Sequence, residues 1–247
     1  MRERELPTVT LLAGGLATRM RPVTQTIPKS LLPVAGEPFL AHQLRLLSSQ
    51  GIHKVVICCG YLGEQIEEFA GDGSAFNCEV RYSYDGAVLK GTGGALRKAL
   101  PLLGDLFFVM YGDSYLPTSF ARVYESFVTR EGAGLMTVFH NRNRWDTSNV
   151  EFRNGQIICY DKKVRTPAME YIDYGLGVLR ASTLLPWSDD EPFDLADVYR
   201  SLVMNNQLLG YEVEERFYEI GTPEGWRETD ALLQRVCRIH VAGDSTD

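Results

Sequence analysis

The sequence predicts an α/β fold: three layers, α/β/α, around a mainly parallel central sheet. Two observations carry this. In the first half, short apolar and β-branched runs alternate with stretches whose apolar residues recur at helical spacing, the rhythm of β-α-β units. In the second half, strand-like runs follow one another closely, and one pair is joined by Asn154-Gly155, a strong hairpin signal. The length of 247 residues suits one large α/β domain or two small ones.

The elements are expected in this order. Val9 to Ala13 reads as the first strand. Phe39 to Gln50 places Phe39, Leu40, Gln43, Leu44, Leu46 and Leu47 at helical spacing and stops at Gly51. Val55 to Cys59 is a buried strand, Leu62 to Ala70 a helix with Ile66 and Phe69 on one face, and Glu79 to Tyr84 an alternating strand. A helix opens over Gly93 to Leu100, and Phe107 to Tyr111 is another buried strand. This order makes the sheet Rossmann-like, with helices on both faces. Beyond it, Leu135 to Phe139, Val150 to Arg153, Gln156 to Tyr160 and Tyr174 to Leu179 read as strands. Leu195 to Met204 reads as a helix and Leu208 to Val213 as a strand. The terminal helix, Pro223 to Val236, has Thr222 as its N-cap and Pro223 in its first turn. Neither an internal repeat nor a linker divides the chain. The first seven and the last eight or so residues read as loose ends.

Composition narrows the function classes. Hydrophobic residues make up 45% and charged residues 23%, ordinary values for a soluble globular protein. A net charge of −7 argues against wholesale nucleic-acid binding, so any site for anions must be local. No apolar run approaches the ~20 residues of a membrane helix, and the charged N-terminus lacks the apolar core of a signal peptide. Cys58, Cys59, Cys78, Cys159 and Cys237 show no Cys-x-x-Cys spacing, which fits a reducing cytoplasm. His42, His53, His140 and His240 are scattered and read as structural or exposed.

Residues 13–34 hold the densest chemistry. After the apolar run Val9 to Leu12, Ala13-Gly14-Gly15 makes a turn whose backbone N–H groups can cradle phosphate oxygens. Thr18 and Arg19 follow, then Arg21-Pro22 and Pro28-Lys29. Arg19 is a planar, always-charged fork and Lys29 a compact point charge, aimed by the fixed φ of Pro28. A Gly-Gly turn alone is only a turn; the whole arrangement is built to hold a polyphosphate. It is neither a P-loop, lacking Gly-Lys-Ser/Thr, nor a dinucleotide fingerprint, lacking the third glycine. Downstream, Lys90-Gly91-Thr92-Gly93-Gly94 is either a flexible turn opening a helix or a place where a base or phosphate approaches the backbone. Tyr84 and Asp85 precede it as groups for a base edge. Asp113, after the strand ending at Tyr111, is either a turn aspartate or a magnesium ligand.

The stretch resembles the signature of the sugar-phosphate nucleotidylyltransferases, Gly-Gly-x-Gly-Thr-Arg-Leu-Arg-Pro-Leu-Thr followed by Pro-Lys-Pro-Leu-Leu-Pro-Val. This chain has Ala17 where the family has glycine and Ser30 where it often has proline. The resemblance implies a single nucleotidyltransferase domain. Its nucleotide-binding part would cover about residues 8–135, a smaller β-rich sugar-binding part about 136–220 and the terminal helix about 223–237, without a C-terminal β-helix. It implies transfer of a nucleotidyl group from a nucleoside triphosphate to a sugar 1-phosphate, giving a nucleotide sugar and pyrophosphate. No general base is needed, because the attacking phosphate is already ionised near neutral pH, its second pKa being ~6.

By the same resemblance Arg19 and Lys29 are catalytic, and Ala13, Gly14, Gly15, Thr18, Asp85, Gly91, Thr92 and Gly93 bind the nucleotide. Lys162, with Lys163 as competitor, holds the sugar phosphate beside Gly175. Asn149 and Glu151 contact the sugar, or are solvated hairpin residues. Asp113 binds Mg2+; Glu219, standing where the family has aspartate, is its second ligand, directly or through water. The expected partners are the triphosphate and the sugar phosphate, with neither nucleic acid nor membrane, in a cytoplasmic monomer or small homo-oligomer. A phosphocholine-type cytidylyltransferase and a non-catalytic sugar-nucleotide-binding protein are the alternatives. A metal-dependent glycosyltransferase is disfavoured because Asp113-Ser114-Tyr115 lacks the second aspartate of an Asp-x-Asp motif. Some segments look most like heptose 1-phosphate guanylyltransferases and others more like N-acetylmuramate 1-phosphate uridylyltransferases, which leaves the base open.

Overall fold

The computed structural model describes residues 5–243. Its elements run β1 (Val9–Leu12), β2 (Pro33–Val34), β3 (Glu37–Pro38), α1 (Phe39–Ser49), β4 (Lys54–Cys59), α2 (Gly63–Ala70), β5 (Glu79–Tyr84), α3 (Gly91–Ala99), β6 (Leu106–Tyr111) and β7 (Ser114–Tyr115). They continue as α4 (Phe120–Val128), β8 (Gly134–His140), β9 (Val150–Arg153), β10 (Gln156–Tyr160), β11 (Tyr171–Arg180), α5 (Leu195–Met204), β12 (Leu208–Val213), β13 (Tyr218–Glu219) and α6 (Pro223–Gly243). The expectation of loose ends falls partly on residues 1–4 and 244–247, outside the described residues.

One nine-stranded sheet carries the molecule, in the order β5-β4-β1-β6-β11-β8-β12-β10-β9. The first four strands are mutually parallel. β11 then runs antiparallel to both β6 and β8, so the β-rich second half continues the same sheet. Successive residues of β6 point to opposite faces, as strand geometry requires. Phe108 and Met110 join Leu40, Leu44, Ile66, Phe120, Val123 and Phe127 from α1, α2 and α4. Phe107 and Val109 join Leu96, Leu195, Val198, Tyr199 and Leu202 from α3 and α5. These two cores make the three layers.

Helix α4 has no counterpart in the sequence reading. Its aromatic and β-branched residues are indifferent helix formers. The helix is held by burial of Phe120, Val123 and Phe127 on one stripe and by Ser119, whose hydroxyl accepts the Arg122 N–H at 3.3 Å. The N-cap of α6 is Thr222 as expected, its hydroxyl accepting the Gly225 N–H at 3.0 Å. That helix packs beside the β2–β3 hairpin through Leu233, while the Trp226 indole N–H donates to the Pro33 carbonyl at 2.9 Å.

Candidate active site

The carboxyl ends of β1, β4 and β6 open onto a cavity of about 250 Å3, where parallel α/β sheets take their ligands. Its walls are mostly backbone and small side chains, among them Ala13, Gly14, Gly15, Gly91 and Gly112. The strand ends pack backbone on backbone. The Gly112 N–H donates to the Leu12 carbonyl at 3.0 Å, and a Cβ on Gly112 would stand 2.8 Å from that oxygen. Asp85 lines the cavity and is buried; it accepts the Lys90 N–H at 3.1 Å. Burial pushes its carboxyl pKa up, against the pull of that N–H, Lys98 and Lys90.

The Gly-Thr-Gly-Gly run is the first turn of α3, and its glycines answer to packing. A Cβ on Gly93 would stand 2.4 Å from the Phe193 ring, and the Gly93 N–H donates to the Phe193 carbonyl at 3.0 Å. Gly93 is thus buried against Phe193 and does not line the cavity, whereas Gly91 and Thr92 do. The Thr92 hydroxyl is fully engaged, donating to Asp194 at 2.6 Å and accepting the Leu195 N–H at 2.8 Å. Tyr84 turns away to donate to Glu67. Ser30 lines the cavity at 3% exposure, and its buried hydroxyl has no hydrogen-bond partner among the described residues.

The loop that follows β1 reaches a second, larger cavity. Ala17 sits in the left-handed region, φ 46° and ψ 42°, the conformation a glycine would take without cost. The Thr24 hydroxyl fastens that turn by donating to the Ala17 carbonyl at 2.9 Å. Thr18 and Arg19 project into the larger space rather than the smaller one. Arg19 is exposed and, among the described residues, has no ion-pair partner.

This second cavity, about 1010 Å3, is walled largely by charged and polar side chains. Lys162 lines it and donates to the Tyr111 hydroxyl at 3.2 Å, its Nζ 5.2 Å from the centre of the Tyr111 ring. Lys163 does not line it; its N–H closes a turn on Asp161 at 2.7 Å. Asn149 is buried on the wall, its Oδ1 accepting the Asp173 N–H at 3.0 Å. Gly175, with φ +99°, follows Asp173 within a register shift of β11. Glu151 lies outside both linings and pairs with Arg153 at 2.7 Å, so the hairpin reading holds for it.

Sequence reasoning missed Asp173. It accepts the Gly175 N–H at 3.0 Å and the Tyr160 hydroxyl at 3.2 Å. Burial raises its carboxyl pKa, with Lys162 pulling the other way. Tyr111, also missed, has its phenol pKa pushed well up, by burial first and then by Asp173. Asp173 carries no signal beyond its place in a strand-like run. Tyr111 precedes Gly112-Asp113, which was its one visible sign.

Lys29, Tyr111 and Asp113 line both cavities and form their junction. Lys29 Nζ lies 2.5 Å from Asp113 Oδ2. Opposite them, Glu219 folds back on the start of α6, accepting the Gly221 N–H and, at 2.6 Å, the Thr222 hydroxyl. The point a Cβ on Gly221 would take lies 2.8 Å from a Glu219 oxygen and 3.1 Å from an Asp113 oxygen. Two carboxylates thus converge where Gly221 leaves room. Among the described residues no cluster of three or more His, Cys, Asp or Glu side chains forms. Two carboxylates with hard oxygen donors nevertheless fit Mg2+, which commonly takes one or two from the protein and the rest from phosphates and water.

A cavity of glycine turns at parallel strand ends is joined through a carboxylate and a lysine to a charged second cavity. The nucleotidyl transferase family model matches residues 8–176, and the chain belongs to that family. It is 41% identical over 228 residues to the N-acetylmuramate alpha-1-phosphate uridylyltransferase of Neisseria meningitidis serogroup B, covering 90% of this chain and 96% of that one. It is 25% identical to the D-glycero-alpha-D-manno-heptose 1-phosphate guanylyltransferase of Campylobacter jejuni, over 87% of this chain and 95% of the other. The fold matches that of HddC from Yersinia pseudotuberculosis complexed with GMP-PN, with a TM-score of 0.76 at 21% identity, over 92% of this chain and 100% of that one. Among the described residues, no helix is long and apolar enough to cross a membrane.

Proposed function

We propose that the protein transfers a nucleotidyl group from a nucleoside triphosphate to a sugar 1-phosphate, releasing pyrophosphate, with Mg2+ at Asp113 and Glu219. The observation that carries this reading is the junction of the two cavities at Lys29, Tyr111 and Asp113. A nucleotide in the smaller cavity, its outer phosphates reaching Arg19 in the larger one, would meet a sugar phosphate there. The N-acetylmuramate relative, similar over nearly the full length of both chains, makes UTP with N-acetylmuramate 1-phosphate the first pair to try.

In this reading an oxygen of the sugar phosphate attacks the α-phosphorus. A new P–O bond forms, the bond to the bridging oxygen breaks, and pyrophosphate leaves with the electron pair. The nucleophile needs no base, so the residues position and neutralise. Lys162 holds the sugar phosphate. Arg19, free of any carboxylate partner among the described residues, stabilises charge on the departing pyrophosphate. Lys29 exchanges its ion pair with Asp113 for phosphate oxygens as substrates bind. Bound at the two carboxylates, Mg2+ would neutralise phosphate charge.

The test is pyrophosphate release from a matrix of four nucleoside triphosphates against a panel of sugar 1-phosphates and phosphocholine. The reading expects release that requires both a triphosphate and a sugar 1-phosphate. Release with phosphocholine alone, or with no acceptor in the panel, would contradict it.

A further inference from the structure

The larger cavity carries one feature that the phosphate chemistry leaves unused. Trp145, on the loop between β8 and β9, is 44% exposed and lines the cavity. The guanidinium of Arg216 lies 3.4 Å from the centre of its ring and 4.5 Å from that of Tyr218. Arg216 is itself fixed, donating to Glu228 at 2.7 Å and to the Phe217 carbonyl at 3.1 Å. Trp145 lines the cavity, whereas neither Arg216 nor Tyr218 does.

The loop is also held from within. Asn141, fully buried, accepts the Trp145 N–H at 3.2 Å and donates to the Asp146 carbonyl at 2.6 Å. Ser148, 2% exposed, accepts from Asn141 at 3.2 Å and from the Asn143 N–H at 3.1 Å. A partly exposed aromatic ring stacked on a fixed guanidinium is a platform, because less ordering remains to be met when something lies on it. The same cavity is also lined by Thr147, Asn149 and Asp173, groups suited to hydroxyl and amide substituents. A pyranose offers the matching pair of surfaces, an apolar face of C–H bonds and a polar edge.

We propose that Trp145 is a specificity-determining residue that stacks on the sugar ring of the sugar 1-phosphate, with Arg216 and Glu228 as its positioning residues. This rests on the reading of the site as a sugar-1-phosphate nucleotidylyltransferase. The platform selects for a ring with an unobstructed C–H face.

The experiment compares the wild type with Trp145→Ala and Trp145→Phe, using the best acceptor from the matrix. The KM for the sugar 1-phosphate is expected to rise about 10-fold in Trp145→Ala and to stay within about 3-fold in Trp145→Phe, the scale of an aromatic stacking contact. The KM for the triphosphate is expected to stay within about 2-fold in both, a split that a general loss of folding would not produce. Intrinsic fluorescence titrated with the sugar 1-phosphate alone gives a second readout: a saturable change in the wild type, lost in Trp145→Phe. An active Trp145→Ala variant with an unchanged sugar KM, or equal rises in both KM values, overturns the assignment. A wild type that turns over no sugar 1-phosphate overturns the underlying reading and the assignment with it.

Discussion

The two cavities are built from different material. The smaller one is walled by the backbone of three strand ends and by small residues such as Ala13, Gly14 and Gly112, with Asp85 as its buried charge. The larger one is walled by side chains from separate segments, including Arg19, Asn149, Lys162, Asp173, Glu219 and Arg227. Backbone walls suit a group common to every triphosphate. Side-chain walls suit the substrate that varies, because one substitution alters them without disturbing a strand. The difference also sets which mutations act on binding and which act on stability.

The largest effect is expected at the charged wall. Lys162→Met should lower kcat/KM for the sugar 1-phosphate about 100-fold, the cost of removing a charge-assisted hydrogen bond. Lys163→Met should change it less than about 2-fold. Steady-state kinetics with the triphosphate saturating decides the matter, and equal losses in the two variants would erase the distinction between these lysines.

Asp173 offers an effect on stability. Its folded pKa is raised above the ordinary 3.8 by burial, so its neutral form is favoured by folding. That contribution is complete below 3.8 and is lost as pH rises through the raised value. Asp173→Asn cannot ionise. The Tm of the variant relative to wild type should therefore climb as pH rises from 3.8 through the raised value, then level off. A difference that stays flat over that range would remove the buried charge from the cavity wall.

The smallest effect belongs to the backbone-walled cavity. Ser30→Ala removes a hydroxyl that is buried and without a partner. An orphaned group of this kind costs about 1 kcal/mol, so the ligand-free variant should melt about 2–4 °C higher. A lower Tm on calorimetry would mean that the hydroxyl has a partner in solution.

The same division explains what was legible in the sequence. Val55 to Cys59 and Phe107 to Tyr111 announced themselves because strands buried on both faces are continuous apolar runs. The loop 13–34 was readable because a backbone cradle is written in consecutive residues. Among the glycines of α3, Gly91 lines the cavity while Gly93 packs on Phe193, a residue 100 positions away and unconnected to it by any local pattern. Asp173 and Trp145 stayed hidden for the same reason: their roles arise only where β11 and the loop before β9 meet. Glu151 looked like Asn149's companion, yet it pairs with Arg153 and stays off the cavity wall.

The junction is where both cavities must act together, and Asp113 is its carboxylate. Pyrophosphate release by the wild type and by Asp113→Asn, titrated with Mg2+ at saturating substrates, tests this most directly. The wild type should show a saturable Mg2+ requirement, and the variant should need far more Mg2+ and run at least about 100-fold slower at its plateau. Superimposable titrations of the two enzymes would place the chemistry elsewhere and dissolve the junction as a reacting centre.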